Sequence, residues 1–391
     1  MRMYDEEKLK SSKEANFGRE YQQCSISVMD TIADPDITFD TKGISNYYYE
    51  YLAKEKTDVP KGAEAEKKLA EAVRLIKEAG KGNKYDCITG VSGGVDSTYL
   101  AYLAKKLGLR PLIVHFDNGW NSELAVKNIE NIISKLGFDL YTLVVDWEEF
   151  KNIQLAYLKA SVIDIEAITD HAIIGTLYKL AAENNIKYIL SGANVVTENT
   201  LPKSWIFNKI DHVNIKDIHD QYGTMKLKTY PLFNSTKKRL YTKLRSIETI
   251  YLLNYVPYNK VEVKNIIKNE LNWKDYGGKH YESVFTRFYQ GYILPVKFGV
   301  DKRKAHLSDL IFSGQISKAE ALEELKKPIY DTTQLLEDYE FMLKKFNLSE
   351  KEFEDILDLP RRQHNEFKVE KGFWDTYRWL KPLRFVSKLT R

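Results

Sequence analysis

Short apolar runs alternate with helix-like segments along the middle of the chain. Four runs are apolar enough to predict buried strands, at 85–91, 111–116, 141–145 and 187–190. Apolar residues with helical spacing predict helices at 63–79, 97–107, 122–136 and 170–184. Strands of this kind, separated by helices, are typical of a parallel sheet that is covered on both faces. We therefore expect an α/β fold with a doubly wound parallel sheet, whose ligands bind at the carboxyl ends of the strands.

The two ends of the chain follow different patterns. Residues 1–60 are irregular and carry turn signals. From residue 233 onwards the chain is charged and helical, as in the segment KAEALEELKK at 318–327. The patterns predict three units, namely an N-terminal segment at 1–60, an α/β domain at 61–232 and a mostly α-helical C-terminal domain at 233–391.

Composition narrows the class of protein. Of the 391 residues, 43% are hydrophobic and 29% charged, and the formal net charge is +4. This small charge, spread over mixed acids and bases, argues against a nucleic-acid partner. The chain lacks an apolar run of membrane-spanning length and the apolar core of a signal peptide, so we expect a cytoplasmic protein without membrane insertion. Only two cysteines, Cys24 and Cys87, are present, and they suggest no disulfide framework.

The segment SGGVDS at 92–97 joins the first predicted strand to the following helix. Adjacent glycines let the backbone approach an anion, and the helix N-terminus adds the positive end of its dipole. A carboxylate is unexpected in a site for a bare anion, so Asp96 implies a bridging Mg²⁺. Neither GxxxxGK[ST] nor GxGxxG is present at this turn. The residues expected to bind the anion are Ser92, Gly93, Gly94, Val95, Asp96 and Ser97.

This segment resembles the pyrophosphatase loop, or PP-loop, of the N-type ATP pyrophosphatases, which include NAD synthetase, GMP synthetase, asparagine synthetase and tRNA-modifying enzymes. The resemblance implies that ATP and Mg²⁺ are the cofactors. It also implies cleavage of ATP between the α- and β-phosphates, transfer of AMP to a substrate oxygen and displacement of AMP by a nucleophile. The alternative is a glycine turn that only connects strand to helix.

Polar residues follow two further predicted strands. Asp117, after the second strand, is placed to hold the ribose or adenine of ATP, although Asp-Asn-Gly is equally a turn sequence. After the fourth strand, Gly192 precedes Glu198 by six residues. This spacing resembles that of NAD synthetase, and the resemblance implies that Glu198 binds Mg²⁺ together with Asp96. Asn194 is assigned to the same nucleotide site, and a solvated loop residue is the alternative for Glu198.

Three further residues are candidates for catalysis. Lys302 and Arg303 stand in a cationic segment beside a glycine, where they would stabilise the leaving pyrophosphate. A charged helix start is the alternative for both. His171 follows Asp170 at the predicted start of a helix, where Asp170 could serve as the N-cap. A single histidine in such a position is more often structural than catalytic.

Two longer stretches resemble the N-acetyl sugar amidotransferases of bacterial surface-polysaccharide and nonulosonic-acid biosynthesis. They lie at 21–46 (YQQCSISVMD and DPDITFDTKGISN) and at 299–315 (GVDKRKAHLSDLIFSGQ). The resemblance implies conversion of a sugar's acetamido group to an acetamidino group, on a nucleotide-linked sugar or a nonulosonic acid. ATP would adenylate the amide oxygen, and ammonia would then displace AMP. Lipopolysaccharide O-antigen or a related glycan would be the destination.

The sequence departs from this family near the N-terminus. Its members usually carry two Cys-x-x-Cys pairs that suit a structural zinc. The corresponding positions here are Cys24, Ser27, Ser45 and Tyr48. Because three thiolates are missing, we expect no structural zinc.

The nitrogen donor is a further question. An N-terminal-nucleophile glutaminase needs Cys at position 2, which is Arg2, and neither Cys24 nor Cys87 stands on a glycine-flanked elbow. We therefore expect separate glutaminase and ammonia-channelling partners of the histidine-biosynthesis type.

Three other functions are alternatives to a sugar amidotransferase. They are a tRNA-modifying PP-loop enzyme, a ligase that aminates a carboxylate as NAD synthetase does, and a non-catalytic scaffold subunit.

Overall fold

Five parallel strands form one sheet in the computed structural model, which describes residue 9, residues 18–278 and residues 281–371. The order across the sheet is β3-β2-β1-β4-β5, and every neighbouring pair is parallel. The expected α/β class is confirmed. The strands are β1 (Cys87–Gly90), β2 (Pro111–Asp117), β3 (Leu140–Val144), β4 (Tyr188–Leu190) and β5 (Glu248–Ile250).

Helices surround the sheet and make up most of the C-terminal part. Among the described residues, no helix is both long enough and apolar enough to cross a membrane. The helices are α1 (Asn46–Asp58), α2 (Ala63–Ala79), α3 (Val95–Lys106), α4 (Glu123–Leu136), α5 (Trp147–Ala160), α6 (Ala167–Glu183), α7 (Val195–Glu198), α8 (His212–Tyr222), α9 (Ser235–Leu244), α10 (Lys260–Leu271), α11 (Val284–Phe288), α12 (Arg303–Phe312), α13 (Lys318–Lys326), α14 (Thr332–Phe346) and α15 (Glu350–Asp358). A π-helix, Tyr289–Phe298, continues α11.

The sheet is covered on both faces, as the apolar strands predict. Cys87 packs with α2 and α3 in one cluster, whereas its neighbour Ile88 packs with α6 in another. In β2, Leu112 and Val114 join the α6 side, and Ile113 faces α3 and α4. Because side chains alternate across a strand, each apolar run supplies both layers of core.

The fifth strand was not predicted. β5 has three residues, and Glu248–Ile250 pairs with Tyr188–Leu190 of β4. A strand this short carries too little hydrophobic periodicity to be recognised from sequence. It lies within the range expected for the helical C-terminal domain, so the sheet extends past the boundary at 232. The other domain boundaries stay predictions.

The N-terminal segment and the C-terminal helices share one core. Met29 and Ile37 pack in the same apolar cluster as Phe285, Phe288 and Phe353. A buried ion pair joins the two regions, because Lys304 Nζ of α12 lies 2.5 Å from Asp30 Oδ2. The two side chains are 1% and 0% exposed. Such a pair is stable only while both charges are present, so it fixes α12 against the N-terminal segment.

Cys24 contacts Ser27 and Ser45, two of the three positions where the family resemblance implies further cysteines. Its Sγ accepts hydrogen bonds from the backbone N–H groups of Ser27 (3.4 Å) and Ser45 (3.3 Å). Burial alone would raise the pKa of the Cys24 thiol, but hydrogen bonds from these two serines outweigh it and lower the pKa. The described residues contain no group of three or more His, Cys, Asp or Glu side chains that could hold a metal ion. Hydrogen bonds to this one sulfur therefore connect the segments that contain Ser27 and Ser45.

Removing either partner of the Lys304–Asp30 pair should destabilise the protein. We expect Lys304→Met and Asp30→Asn each to lower the free energy of unfolding, Lys304→Met by about 3–5 kcal/mol because it leaves the buried Asp30 carboxylate without this charged partner. The double variant should cost less than the sum of the two. Lys326→Met, in the exposed pair with Glu323, is the control and should cost less than about 1 kcal/mol. Urea unfolding measures all four, and single variants as stable as the control would contradict the role.

Purified protein should contain no stoichiometric zinc, because the positions of three ligands hold Ser27, Ser45 and Tyr48. Elemental analysis should find far less than one zinc per chain. The melting temperature should be the same with and without a strong chelator. About one zinc per chain, together with a chelator-sensitive melting temperature, would mean that other side chains bind the metal.

Candidate active site

The connection from β1 to α3, here called the phosphate loop (residues 92–97), is shaped by two glycines. Gly93 has φ of 84°, and a Cβ there would lie 3.0 Å from the carbonyl oxygen of Ala125. Backbone conformation and space both exclude a larger residue at this position. Trp273 Nε1 donates a 2.8 Å hydrogen bond to the Gly93 carbonyl, which fixes the loop from outside. Gly94 is the N-cap of α3, so Val95 and Asp96 lie in the first helical turn.

The phosphate loop directs donors toward one point. The hydroxyl oxygens of Ser92 and Ser97 are 3.4 Å apart, and the backbone N–H of Ser92 donates to Ser97 Oγ. The backbone N–H of Gly94 donates to Ser92 Oγ at 3.2 Å. The first-turn N–H groups and the dipole of the 12-residue helix α3 add positive potential. This arrangement suits a phosphate group, as the sequence predicts.

A cleft of about 730 Å³ opens beside the phosphate loop. Its wall combines the loop, the turn after β4 and residues from the C-terminal helices, so the cleft lies at the carboxyl edge of the sheet. A cavity of this size accommodates a nucleotide or a sugar. The residues predicted from sequence that line it are Ser92, Gly94, Val95, Asp96, Ser97, Gly192, Glu198, Lys302 and Arg303.

Two carboxylates of the cleft suit a magnesium ion. Tyr258 donates its hydroxyl to Asp96 Oδ1, and burial together with the nearby Asp96 and Glu198 raises the pKa of Tyr258. The Tyr258 hydroxyl therefore lies near both carboxylates, Asp96 and Glu198. Mg²⁺ in nucleotide sites takes one or two protein carboxylates and completes its shell with phosphate oxygens and water. Asp96 and Glu198 are the residues that would hold it, with the phosphates of ATP as the other ligands.

The two predicted cations of the cleft differ in their contacts. Arg303 makes two-point contact with Asp301, with guanidinium–carboxylate distances from 2.8 to 3.1 Å. It also donates to the carbonyls of Glu324, Leu325 and Lys327 at the end of α13. All of its nitrogens are thus committed to the protein itself. The structure corrects its expected role, because Arg303 anchors α13 and has no donor left for pyrophosphate.

Lys302 remains available to a ligand. Within the described parts of the chain, no acceptor lies within hydrogen-bonding distance of its Nζ, and its side chain lines the cleft. Burial lowers the pKa of this lysine, with a further contribution from Lys209. A phosphate in the cleft would favour the charged form. Of this pair of cations, Lys302 is therefore the one without a hydrogen-bond partner among the described residues, and the charges that act on it are those of Asp164, Glu166, Asp170 and Lys209.

His171 does not reach the cleft. Its Nδ1 lies 2.7 Å from the Lys209 carbonyl, and its Nε2 accepts a 2.8 Å hydrogen bond from the backbone N–H of Phe233. The ring is completely buried, and burial lowers its pKa to about 4. In the neutral ring, Nδ1 donates to the Lys209 carbonyl and Nε2 accepts from Phe233, so both ring nitrogens already have hydrogen-bond partners. The structure therefore corrects the catalytic role expected for His171, which instead joins two backbone segments.

Asp117 and Asn194 also act within the protein. Asp117 Oδ1 accepts from the backbone of Gly119 (2.9 Å) and from Asn121 Nδ2 (3.0 Å), which makes it a turn residue. Asn194 is the N-cap of α7, and its Oδ1 accepts from the backbone and hydroxyl of Thr197. Neither side chain is on the wall of the cleft. The structure therefore corrects the roles in nucleotide binding expected for Asp117 and Asn194. Each side chain forms hydrogen bonds that hold a local turn at the end of a strand, away from the cleft.

Sequence reasoning missed a carboxylate that contacts the phosphate loop. Glu282 Oε1 accepts a 3.1 Å hydrogen bond from Ser92 Oγ, across 190 positions of the chain. Tyr276, also in the cleft, has its pKa raised by burial and by the nearby Glu282 and Asp96. No local motif marks either residue, because their proximity to the loop depends on how the C-terminal region packs.

Comparisons with known proteins agree with this architecture. Residues 86–178 match the family model of the queuosine biosynthesis protein QueC, and residues 282–381 match the C-terminal domain of WbpG-like LPS biosynthesis proteins. A tRNA(Ile)-lysidine synthase of Chlamydia pneumoniae is 37% identical over 71 residues, which are 17% of this chain and 22% of that enzyme. The chain therefore spans about a fifth of the length of the curated relative that it matches.

Two solved structures are similar at low identity. NMN synthetase from Francisella tularensis is 15% identical, with a TM-score of 0.32, over 73% of this chain and 97% of its own. The NH3-dependent NAD synthetase of Campylobacter jejuni is 15% identical, with a TM-score of 0.29, over 53% of this chain and 84% of its own. Neither likeness bears on the activity.

The parallel sheet, the phosphate loop at the end of β1 and the QueC match over residues 86–178 support the PP-loop ATP pyrophosphatase class for this part of the chain. The C-terminal region contributes Glu282 and Lys302 to the cleft, and this same region carries the WbpG-like match. The two matches together support a WbpG-like family of PP-loop proteins.

The contacts of Lys302 and Arg303 predict opposite effects of replacing them. Lys302→Met should leave the melting temperature nearly unchanged but slow ATP cleavage by about 100-fold or more, the usual effect of losing one preorganised charge-stabilising group. Arg303→Met should instead lower the free energy of unfolding by up to about 3 kcal/mol, since it leaves Asp301 buried without its partner. Pyrophosphate release and urea unfolding measure the two effects. A slow but stable Arg303→Met enzyme would contradict the assignment.

Proposed function

We propose that this protein is an ATP-dependent, AMP-forming amidotransferase that converts the acetamido group of a sugar into an acetamidino group. The observation that carries the proposal is the shared cleft, whose wall joins a PP-loop to the WbpG-like C-terminal region. The first part supplies ATP chemistry, and the second is matched by proteins described as acting in LPS biosynthesis. A nucleotide-linked sugar or a nonulosonic acid of a surface glycan is the substrate class.

The chemistry requires two displacements. An amide carbonyl is a weak electrophile, so its oxygen first attacks the α-phosphorus of ATP, and the bond to pyrophosphate breaks. Ammonia then adds to the activated imidate carbon, loses a proton, and the carbon–oxygen bond to AMP breaks. The products are the amidine, AMP and pyrophosphate. The oxygen of the amide leaves with AMP, so the exchange of oxygen for nitrogen is balanced.

Each step has groups in the cleft that suit it. The phosphate loop holds the phosphates through Ser92, Ser97 and the backbone N–H groups of α3. Mg²⁺, held by Asp96 and Glu198, would neutralise negative charge on the phosphates. Lys302 would stabilise the pyrophosphate as it leaves. The remaining wall, which includes Tyr276, offers an aromatic and polar surface for a sugar.

Ammonia would come from a separate protein. Both cysteines are completely buried in the described structure. Burial, with the neighbouring Asp86, raises the pKa of the Cys87 thiol well above its usual range. Cys24 is engaged by Ser27 and Ser45. Neither thiol is placed to attack glutamine, which supports a separate glutaminase that channels ammonia to this enzyme.

Transfer to tRNA is the second candidate. It is favoured by the 71-residue match to the tRNA(Ile)-lysidine synthase and by the QueC match over residues 86–178. The QueC match covers the part that carries the phosphate loop, and one such part can serve many substrates. The WbpG-like match lies in the half that lines the cleft opposite the loop, and for this reason we favour the sugar.

The test is release of AMP and pyrophosphate from purified protein with ammonium at raised pH. Nucleotide-linked acetamido sugars and nonulosonic acids form one set of substrates, and unmodified tRNA forms the other. We expect AMP release with a sugar, in equal amount to an amidine product detected by mass spectrometry. Glutamine in place of ammonium should give no product until a glutaminase is added. AMP release with tRNA alone would overturn the sugar assignment.

Asp96→Asn should abolish AMP formation while the protein stays folded, because the change is nearly isosteric and removes a charge that would hold Mg²⁺. Asp275→Asn is a matched control, since Asp275 lines the same cleft but pairs with Lys264. The control should retain activity within a few-fold. Turnover near the wild-type rate in Asp96→Asn, with Mg²⁺ still required, would remove Asp96 from the mechanism.

A further inference from the structure

Helix α9 exposes apolar side chains to solvent, far more than it buries. None of its side chains is fully buried, and its packing on the rest of the fold includes Tyr241, whose ring stacks on Tyr178 and Phe233. Leu244 is 73% exposed, more than any other large apolar side chain of the described residues, and Leu240 is 52% exposed. Because they are four positions apart, the two leucines are neighbours on one face of the helix. Contact with an apolar layer would remove this area from water.

Basic side chains surround the two leucines. Residues 221–247 contain seven Lys and Arg and no Asp or Glu, although the whole chain is nearly balanced, with 59 basic and 55 acidic residues. Lys237 is three positions before Leu240 and Lys243 is three positions after it, so both lie beside this leucine on the helix. The side chains of α9 and its C-cap that form no ion pair or side-chain hydrogen bond within the described chain are Lys237, Arg239, Lys243 and Arg245.

The acids near α9 are too few to neutralise these cations. Glu248 follows in β5, and Glu370 accepts a 2.7 Å hydrogen bond from the Ser235 hydroxyl in the first turn of the helix. On α6, which packs against α9, Glu183 pairs with Lys179 at 3.9 Å. With these acids counted, the five basic side chains of α9 and its C-cap still leave an excess of positive charge. The exposed face therefore combines an apolar pair with unneutralised cations.

The chain beyond this surface has a similar composition. The described residues end at 371, one position after the Glu370 that contacts α9. Residues 372–391 have the sequence GFWDTYRWLKPLRFVSKLTR, with five aromatic residues, five Lys and Arg, and one acid. A segment of this charge would repel the cations of α9, so it is a poor cover for the two leucines. Aromatic and basic residues together are typical of segments that contact a membrane surface.

We infer that α9 contacts the surface of an anionic lipid bilayer, with Leu240 and Leu244 among the lipid headgroups and the neighbouring cations against the lipid phosphates. A bilayer offers apolar chains and phosphates side by side, which is what this face requires. A nucleic acid would neutralise the cations but leave the leucines in water. A second copy of α9 would cover the leucines but bring like charges together. The contact is with the membrane surface and needs no spanning helix, and it does not depend on the proposed use of ATP.

Sedimentation of the full chain with lipid vesicles tests the inference. One set of vesicles contains phosphatidylcholine alone, and the other contains phosphatidylcholine with phosphatidylglycerol. At about 0.1 M NaCl, where the Debye length is about 10 Å, we expect binding to the anionic vesicles that is at least about tenfold stronger than to the neutral ones. At about 1 M NaCl the Debye length falls to about 3 Å, and binding to the anionic vesicles should weaken by a similar factor.

Two double variants separate the apolar and the charged parts of the contact. Leu240→Ser combined with Leu244→Ser should weaken binding to anionic vesicles by at least about tenfold, because the apolar pair is lost while every cation remains. Lys237→Glu combined with Lys243→Glu should weaken it by at least about tenfold as well, since each cation near the surface contributes about 1 kcal/mol. All four positions are exposed, so both variants should keep the melting temperature of the wild type.

Matched controls change the same residue types elsewhere on the surface. Leu336→Ser removes a leucine of α14 that is 50% exposed and stands beside the acid Glu337. Lys67→Glu combined with Lys77→Glu reverses two exposed charges of α2. Both controls should bind anionic vesicles as the wild type does.

Several outcomes would overturn the inference, and none of them depends on AMP release. They are a wild type that does not sediment with anionic vesicles, equal binding to neutral vesicles, and α9 variants that bind as tightly as the wild type. An equal loss of binding in the controls would mean a general effect of surface charge or apolarity and would also overturn it. Binding of unmodified tRNA that Lys237→Glu with Lys243→Glu abolishes, without vesicle binding, would assign the surface to a nucleic acid. A dimer that Leu240→Ser with Leu244→Ser dissociates, again without vesicle binding, would assign it to a second copy of the chain.

Discussion

The buried ion pair between Lys304 and Asp30 fixes the position of the helix on which the cleft depends. Breaking the pair would leave a buried charge without this partner, so the pair stabilises the packing of the N-terminal segment against α12. Lys302 immediately precedes α12, two positions before Lys304. At the other end of the helix, Asp309 accepts the backbone N–H of Thr200, just beyond Glu198. One helix thus connects Lys302 to the segment that follows Glu198, and both residues line the cleft.

The balance of charge in the cleft explains why residues of similar type have different roles. Arg303 and Lys302 are neighbours, but a planar guanidinium can satisfy one carboxylate and several carbonyls at once. Arg303 does this with Asp301 and the end of α13. The flexible ammonium of Lys302 has no such set of partners among the described residues, so it stays available to a ligand. The acids Asp96, Glu198 and Glu282 line the same cleft.

Buried polar groups at the ends of the strands illustrate a general constraint. A hydrogen-bonding group without a partner in the interior is costly, so such groups are used to hold turns before they are available for ligands. The buried His171 of α6 and the buried Asn194 after β4 follow this rule, and the half-buried Asp117 at the end of β2 also holds a turn. The N-terminal turn follows it as well, because the buried sulfur of Cys24 accepts hydrogen bonds from the backbone N–H groups of Ser27 and Ser45.

The sequence by itself determined the features that depend on neighbouring residues. The four longer runs of the sheet region, helix α2 and the phosphate loop with its glycine at positive φ follow from local periodicity and backbone conformation. Tertiary structure alone decided the features that depend on distant segments: the pairing of β5 with β4, the contact of Glu282 with Ser92, and the commitment of Arg303 to α13. Short-range patterns carry no information about which distant group arrives at a site, because that depends on how the whole chain packs.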